Sequence, residues 1–156
     1  MTTTMTKEQF QALLQPYADA LRAIDVEAKD AAAQCERVLP FTGAQVKALR
    51  EVAMAAIASD WLLPKENAGI RFGRVAKDLC GFSVDAVLMD KPGPKHRHPN
   101  GEIDLCFARS GAPKFDGKPE GWVVYGKGSV HVPTVREGEM LILYFLPAGA
   151  IEFLTD

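Results

Sequence analysis

Apolar positions recur at helical spacing through the first third of the chain and at strand spacing after it. Phe10, Leu13, Leu14, Tyr17, Leu21 and Ile24 share one face of a 3.6-residue period. Thr6-Lys7-Glu8-Gln9 just before them reads as a capping box, with Thr6 as N-cap and Gln9 reaching back. Pro16 should kink this helix or divide it in two, since proline lacks the N–H donor and clashes with the preceding turn. Residues 25–35 stay helix-compatible but are alanine-rich and acidic, with no clear packing face, and Leu39-Pro40 ends the segment. A second capping box is expected at Thr42 and Gln45. It opens a helix with Val46, Leu49, Val52, Ala53, Ala56 and Ile57 as its apolar stripe. Trp61-Leu62-Leu63-Pro64 closes that stretch, and residues 1–5 read as a polar tail.

From residue 65 the period shortens. Runs at 68–75, 82–89, 95–98, 102–107, 122–125, 129–132, 140–146 and 150–154 are short, β-prone and mostly punctuated by Gly or Pro. Regular short strands with such turns predict a mainly β fold, an antiparallel sandwich, barrel or jelly roll. The expected organisation is an N-terminal helical extension over 1–64 and a β domain over 65–156, together one structural unit. The helices would cover one face of a sheet or supply a dimer contact. Exposed strand edges favour a homodimer, because uncovered edges tend to be paired.

Composition narrows the classes. The 156 residues are 47% apolar and 24% charged with a formal charge of −2, an ordinary globular balance that offers no basic field for nucleic acid. No apolar run approaches the roughly 20 residues of a membrane helix, and the first residues lack a signal-peptide layout. Cys35, Cys80 and Cys106 form no CxxC pair, so a reduced, cytoplasmic setting is expected.

The chemistry concentrates in His96-Arg97-His98-Pro99-Asn100-Gly101-Glu102, which holds two of the three histidines. Side chains at i and i+2 of a strand share a face, so His96 and His98 project into one space while Arg97 points away. A two-residue Asn100-Gly101 turn would put Glu102 on the opposite face. A three-residue loop would pair His98 with Glu102 and bring the carboxylate to the imidazoles. Pro99 at turn position i+1 and Gly101 at the left-handed position favour the second register. The stretch reads as a metal-binding hairpin, and by parity Asp104 and Cys106 then face the same way as Glu102.

This HxHxxxE pattern, with Gly93 ahead of it, resembles the first motif of the cupins. The Gly128-Ser129-Val130-His131 segment resembles their second, which makes His131 the fourth ligand. The borders differ: Gly126 stands where the family pattern has proline, Val135 where it has asparagine, and the first motif's closing glycine comes late, at Gly111. More narrowly, the helical lead-in, the Pro94-Lys95-His96-Arg97-His98-Pro99-Asn100-Gly101-Glu102-Ile103-Asp104 block and the ending from His131 to Gly149 look like the family of 4-hydroxylaminobenzoate lyase. That resemblance implies deamination of 4-hydroxylaminobenzoate to 3,4-dihydroxybenzoate. The cofactor would be a divalent transition metal, Fe, Mn, Ni or Zn, held by His96, His98, Glu102 and His131.

A small aromatic carboxylate as substrate would need a cation, for which Arg71, Arg74 and Arg109 are the candidates, and Tyr125 could pack on its ring. Asp104 and Tyr144 are the candidates for proton transfer; Asp104 could equally orient a ligand imidazole. Two other classes stay open at this point: a cupin dioxygenase acting on an aromatic ring, and a non-catalytic small-ligand-binding cupin.

Overall fold

A computed structural model describes residues 5–154. The expected polar tail therefore lies, but for Met5, outside the described residues. Three helices come first: α1 (Lys7–Leu21), α2 (Ala31–Val38) and α3 (Ala44–Ala56). The Thr6 capping box forms in full, with Gln9 N donating to Thr6 Oγ1 at 3.1 Å and Thr6 N to Gln9 Oε1 at 2.8 Å. Pro16 does not divide α1, which runs unbroken through it. The second box does not form. Gly43 is the N-cap of α3 and no side chain caps it, because the chain first turns at Pro40, whose carbonyl accepts from Gly43 N at 2.9 Å.

The strands are β1 (Lys65–Asn67), β2 (Ile70–Leu79), β3 (Phe82–Met89), β4 (His96–His98), β5 (Glu102–Phe115), β6 (Gly121–Tyr125), β7 (Ser129–His131), β8 (Val135–Pro147) and β9 (Glu152–Phe153). They form two antiparallel sheets. One has six strands in the order β1-β2-β3-β8-β5-β6, and the other has three in the order β7-β4-β9. The fold is mainly β, as expected, and of jelly-roll type, but the two sheets face each other as a sandwich and do not close into a barrel.

Both faces of the large sheet are covered. Along β8, Leu141, Leu143 and Phe145 belong to one apolar cluster with Phe10, Leu14, Leu21, Val46 and Leu49 of the helices. Met140, Ile142, Tyr144 and Leu146 alternate with them and point into the sandwich. Two buried faces explain why β8 reads as one continuous apolar run and not as an alternation. The helices thus cover the outer face of the sheet. Gln11 Nε2 donates to Val75 O at 2.8 Å, and Trp122 Nε1 donates to Leu39 O at 2.9 Å across that layer. The inner face is left for the polar residues of β4, β5 and β7.

Candidate metal centre

β4 is buried, exposed, buried along His96, Arg97 and His98, the alternation expected of a strand with one interior face. Arg97 meets Glu152 on the outside at 3.4 Å. β7 lies beside β4 with His131 directly opposite His96. Three imidazoles therefore project from the small sheet into the sandwich. Glu102, the first residue of β5, comes from the large sheet.

The turn between them departs from the expected hairpin. Pro99 and Gly101 hold the places foreseen: Gly101 N donates to His98 O at 3.2 Å, and Gly101 has φ +88°. A Cβ there would lie 2.8 Å from Val26 Cγ2 and 3.0 Å from Tyr125 O, so the position needs glycine on both counts. Yet β4 pairs with β7 and β9, never with β5. The turn is a corner at which the chain leaves one sheet for the other, and Glu102 meets the histidines across the sandwich.

One ligand atom from each of His96, His98, Glu102 and His131 lies within 4.8 Å of all the others. His96 Nε2 is 3.1 Å from His131 Nε2, and Glu102 Oε2 is 3.3 Å from His131 Nε2 and 4.0 Å from His96 Nε2. Glu102 Oε2 also contacts His98 Nε2. Two donors held about 2.1 Å from one ion at right angles lie about 3 Å apart, the range seen here. Both ring nitrogens of His98 and Oε1 of Glu102 are buried without a hydrogen-bond partner. Buried polar atoms rarely go unsatisfied, and a cation among the four side chains would satisfy Glu102 and one nitrogen of His98, its Nε2. Three imidazoles with one carboxylate suit Fe, Ni, Zn or Mn, so the residues fit a divalent transition metal.

The surrounding charges divide the acids. Burial opposes charge on Glu102, but the adjoining Asp104 carboxyl and the His131 and His98 rings outweigh it and hold Glu102 below the ordinary carboxylate range. Asp104 goes the other way, pushed well up by burial and then by the Glu102 charge. The two carboxyls therefore shift in opposite directions, as neighbours in one buried site do. His96 is lowered to about 4 by burial and by His98. Burial would also lower His131, but Asp116 and Glu102 outweigh it and push it up to about 9.

The structure places the remaining sequence candidates unevenly. Asp104 is fully buried on the inner face, two residues along β5 from Glu102, and sits opposite Tyr144 of β8. Neither Asp104 oxygen has a hydrogen-bond partner, so Asp104 orients no imidazole. Cys106 is buried in the same inner cluster. The Tyr125 ring lies 4.3 Å from the His131 ring, tilted by 30°. Of the three arginines, Arg71 donates to Ile57 O at 3.2 Å on the helical side, and Arg109 pairs with Glu139 at 3.0 Å. Neither reaches the cluster. Arg74 binds Asp85 through two hydrogen bonds of 2.7 and 3.2 Å. Asp85 stands opposite Tyr144, so Arg74, Asp85, Tyr144 and Asp104 form one row across the large sheet.

Asp116 also belongs to the site, though nothing in the sequence marks it for that role. Its Oδ2 accepts from Tyr125 Oη at 2.6 Å and lies 2.9 Å from His131 Nδ1. The only local signal was the Asp116-Gly117 dipeptide, which marks a turn and says nothing of a histidine fifteen residues on.

Two facing antiparallel sheets enclose three imidazoles and a carboxylate supplied by a His-x-His-x3-Glu stretch and a later Gly-x2-His. That fold and donor set define a cupin. Within the class, the chain belongs to the PnbB 4-hydroxylaminobenzoate lyase family, whose sequence profile matches residues 18–153. It is 34% identical over 92 residues to a 4-hydroxylaminobenzoate lyase from Nocardioides sp. (strain LMS-CY), covering 53% of this chain and 54% of that protein. To the protein of the same name from Pseudomonas putida it is 28% identical over 120 residues, covering 62% and 67%. The match thus spans about half to two thirds of the length of these relatives. Among solved structures, an RmlC-like cupin protein from Ralstonia eutropha superposes with a TM-score of 0.44 at 12% identity, over 62% of this chain and 67% of that one.

Proposed function

We propose that this protein is a metal-dependent lyase that converts 4-hydroxylaminobenzoate, or a close aryl hydroxylamine, to 3,4-dihydroxybenzoate and ammonia. The observation that carries the reading is the buried three-histidine, one-carboxylate cluster in a chain of this family. The conversion takes up one water and releases one ammonia; the N–O bond supplies the oxidising equivalents for the ring, so no external oxidant is consumed. His96, His98, Glu102 and His131 would hold the metal, which when bound supplies Lewis acidity to an oxygen of the substrate.

The chain's own groups account for the proton movements. Glu102, ionised and among the ligands, is not free to act as a base. Asp104, beside it and held toward its protonated form first by burial, can deliver a proton from a carboxyl oxygen to a departing group. Tyr144 Oη stands in the same row, its phenol held well above the ordinary range chiefly by burial, so it acts as a donor. The apolar inner side chains Val123, Ile142 and Leu146 keep bulk water away. Of the three arginines we assign Arg74, at the end of that row and paired with Asp85, to a substrate carboxylate.

The deciding experiment follows ammonia, 3,4-dihydroxybenzoate and dissolved oxygen in one reaction with 4-hydroxylaminobenzoate, before and after metal is stripped by a chelator. Ammonia and catechol should form together in equal amounts without oxygen uptake, stop on stripping, and return when a divalent metal is added. Oxygen consumed in step with product would make the protein a dioxygenase, and full activity after stripping would end the metal-dependent reading.

Asp104→Asn and Tyr144→Phe separate the proton donors. Whichever residue delivers the proton should lose about 10²–10⁴-fold in kcat when replaced, with metal content unchanged. Both variants retaining wild-type kcat would remove this row from the mechanism.

A further inference from the structure

We infer that Asp116 is the positioning residue of the centre: it sets the ring of His131 so that Nε2 faces the other three ligands. The inference builds on the proposed metal centre and assigns a role to a residue outside the donor set. Asp116 sits in the turn after β5, where Phe115 and Lys118 exchange backbone hydrogen bonds of 2.7 and 2.9 Å. From there its carboxylate reaches three other places in the chain. Oδ1 accepts from Thr134 N at 2.8 Å, and Oδ2 accepts from Tyr125 Oη and faces His131 Nδ1. The backbone returns the first contact, Asp116 N donating to Thr134 O at 2.8 Å. The turn is therefore clamped to the β7–β8 connection, and the carboxylate position is over-determined.

Consequences for His131 follow from imidazole chemistry. A carboxylate against Nδ1 holds a proton there, which leaves Nε2 as the nitrogen that can give up its proton to take a metal. Nε2 lies 3.1 Å from His96 Nε2 and 3.3 Å from Glu102 Oε2, so with Nδ1 turned to Asp116 it is the nitrogen that faces the other ligands. The Tyr125 ring lies against one face of the imidazole, and Phe115 approaches it edge-on at 6.2 Å. Because Tyr125 donates its hydroxyl to the same Asp116 oxygen, one carboxylate fixes both the edge and the flanking ring of His131. His131 is the least buried of the four cluster residues, so it has the most freedom to lose.

A plain structural role is the competing account, since Asp116 has φ +50° and precedes Gly117 in a turn. Asn and Gly both tolerate that conformation, so Asp116→Asn and Asp116→Gly remove the charge or the side chain without straining the backbone. Zinc would be titrated into the metal-free protein against a chromophoric chelator, with thermal unfolding of the same samples as control. Loss of an outer-shell carboxylate costs about 10–100-fold in affinity. Asp116→Gly should show a loss in that range, and Asp116→Asn a smaller one of at least about threefold. Wild-type affinity in both variants would overturn the inference; if Asp116→Gly fails to fold, Asp116→Asn alone decides it. A second reading needs no metal. In metal-free protein labelled with 15N-histidine, the Nδ1 proton of His131 should exchange slowly, and in either variant it should exchange fast. An unchanged exchange rate would also overturn the inference. Should wild-type protein bind no zinc, the metal centre fails while the proton measurement still decides the role of Asp116.

Discussion

His98→Ala is expected to leave the purified protein without stoichiometric metal and without measurable ammonia release. His98 is fully buried, both of its ring nitrogens lack a protein hydrogen-bond partner, and Nε2 contacts Glu102. Its removal takes away a donor, and it leaves the Glu102 carboxylate buried with one neighbour fewer to share its charge. The loss in metal affinity should therefore exceed the roughly 10–100-fold that an outer-shell residue costs. Arg97→Ala is the matched control. Arg97 lies one residue away on the same strand, but it is exposed and its guanidinium meets Glu152 on the outer face. Metal analysis by mass spectrometry and an ammonia assay on the two variants test the alternation of β4 directly. Full metal and activity in His98→Ala, or their loss in Arg97→Ala, would refute the assignment of faces.

The site was legible in the sequence where it depends on local geometry. Period-two alternation is enough to put His96 and His98 on one face and to send Arg97 outward. Pro99 and Gly101 carry their turn preferences in their own φ angles. Partner choice is a different matter. Adjacent strands usually pair, which favours β4 with β5, yet the turn between them is a corner between sheets. Glu102 still reaches the histidines because the two inner faces meet across the sandwich, a longer-range reason than the hairpin register. Asp116 shows the same limit: what places it beside His131 is the clamp to Thr134, a contact set by the whole topology.

The arginines show why residue type alone did not locate the substrate site. Arg71, Arg74 and Arg109 all lie on strands that run through the large sheet, but a strand has two faces and bulges change the parity. Register shifts interrupt β2 after Arg74 and β5 between Ala108 and Ser110. Past those points, counting by twos no longer reports the face. Arg109 consequently ends beside Glu139, outside the cluster. The open cleft at Phe41, Arg50, Phe107 and Glu120 is likewise no substitute, because Phe107 belongs to the helical side of the sheet. Chemistry and scaffold are thus separated by the sheet itself, with ligands on one face and the helices on the other.

That separation sets the second large effect. Phe145→Ala should destabilise the protein by about 3–5 kcal/mol, the cost of deleting a buried aromatic side chain and leaving a cavity. Phe145 is fully buried on the central strand β8, opposite Val84 of β3 and Ile103 of β5. Its ring meets Phe82 edge-on, with centroids 6.1 Å apart and an interplanar angle of 88°. It belongs to the apolar cluster shared with the helices, so its loss weakens the layer behind the metal cluster. For a chain of this size the loss should lower Tm by roughly 6–20 °C. Phe153→Ala, at a ring 66% exposed, should change stability by no more than about 0.5 kcal/mol. The neighbours of Phe145 along β8, Tyr144 and Leu146, point to the opposite face. The folded fraction of Phe145→Ala should accordingly keep near wild-type zinc affinity at low temperature. Thermal unfolding with and without zinc, followed by titration at low temperature, tests both halves. A shift of Tm below about 2 °C would show that the helical layer does not anchor β8, and a large loss of zinc affinity in the folded variant would show that the two faces are coupled.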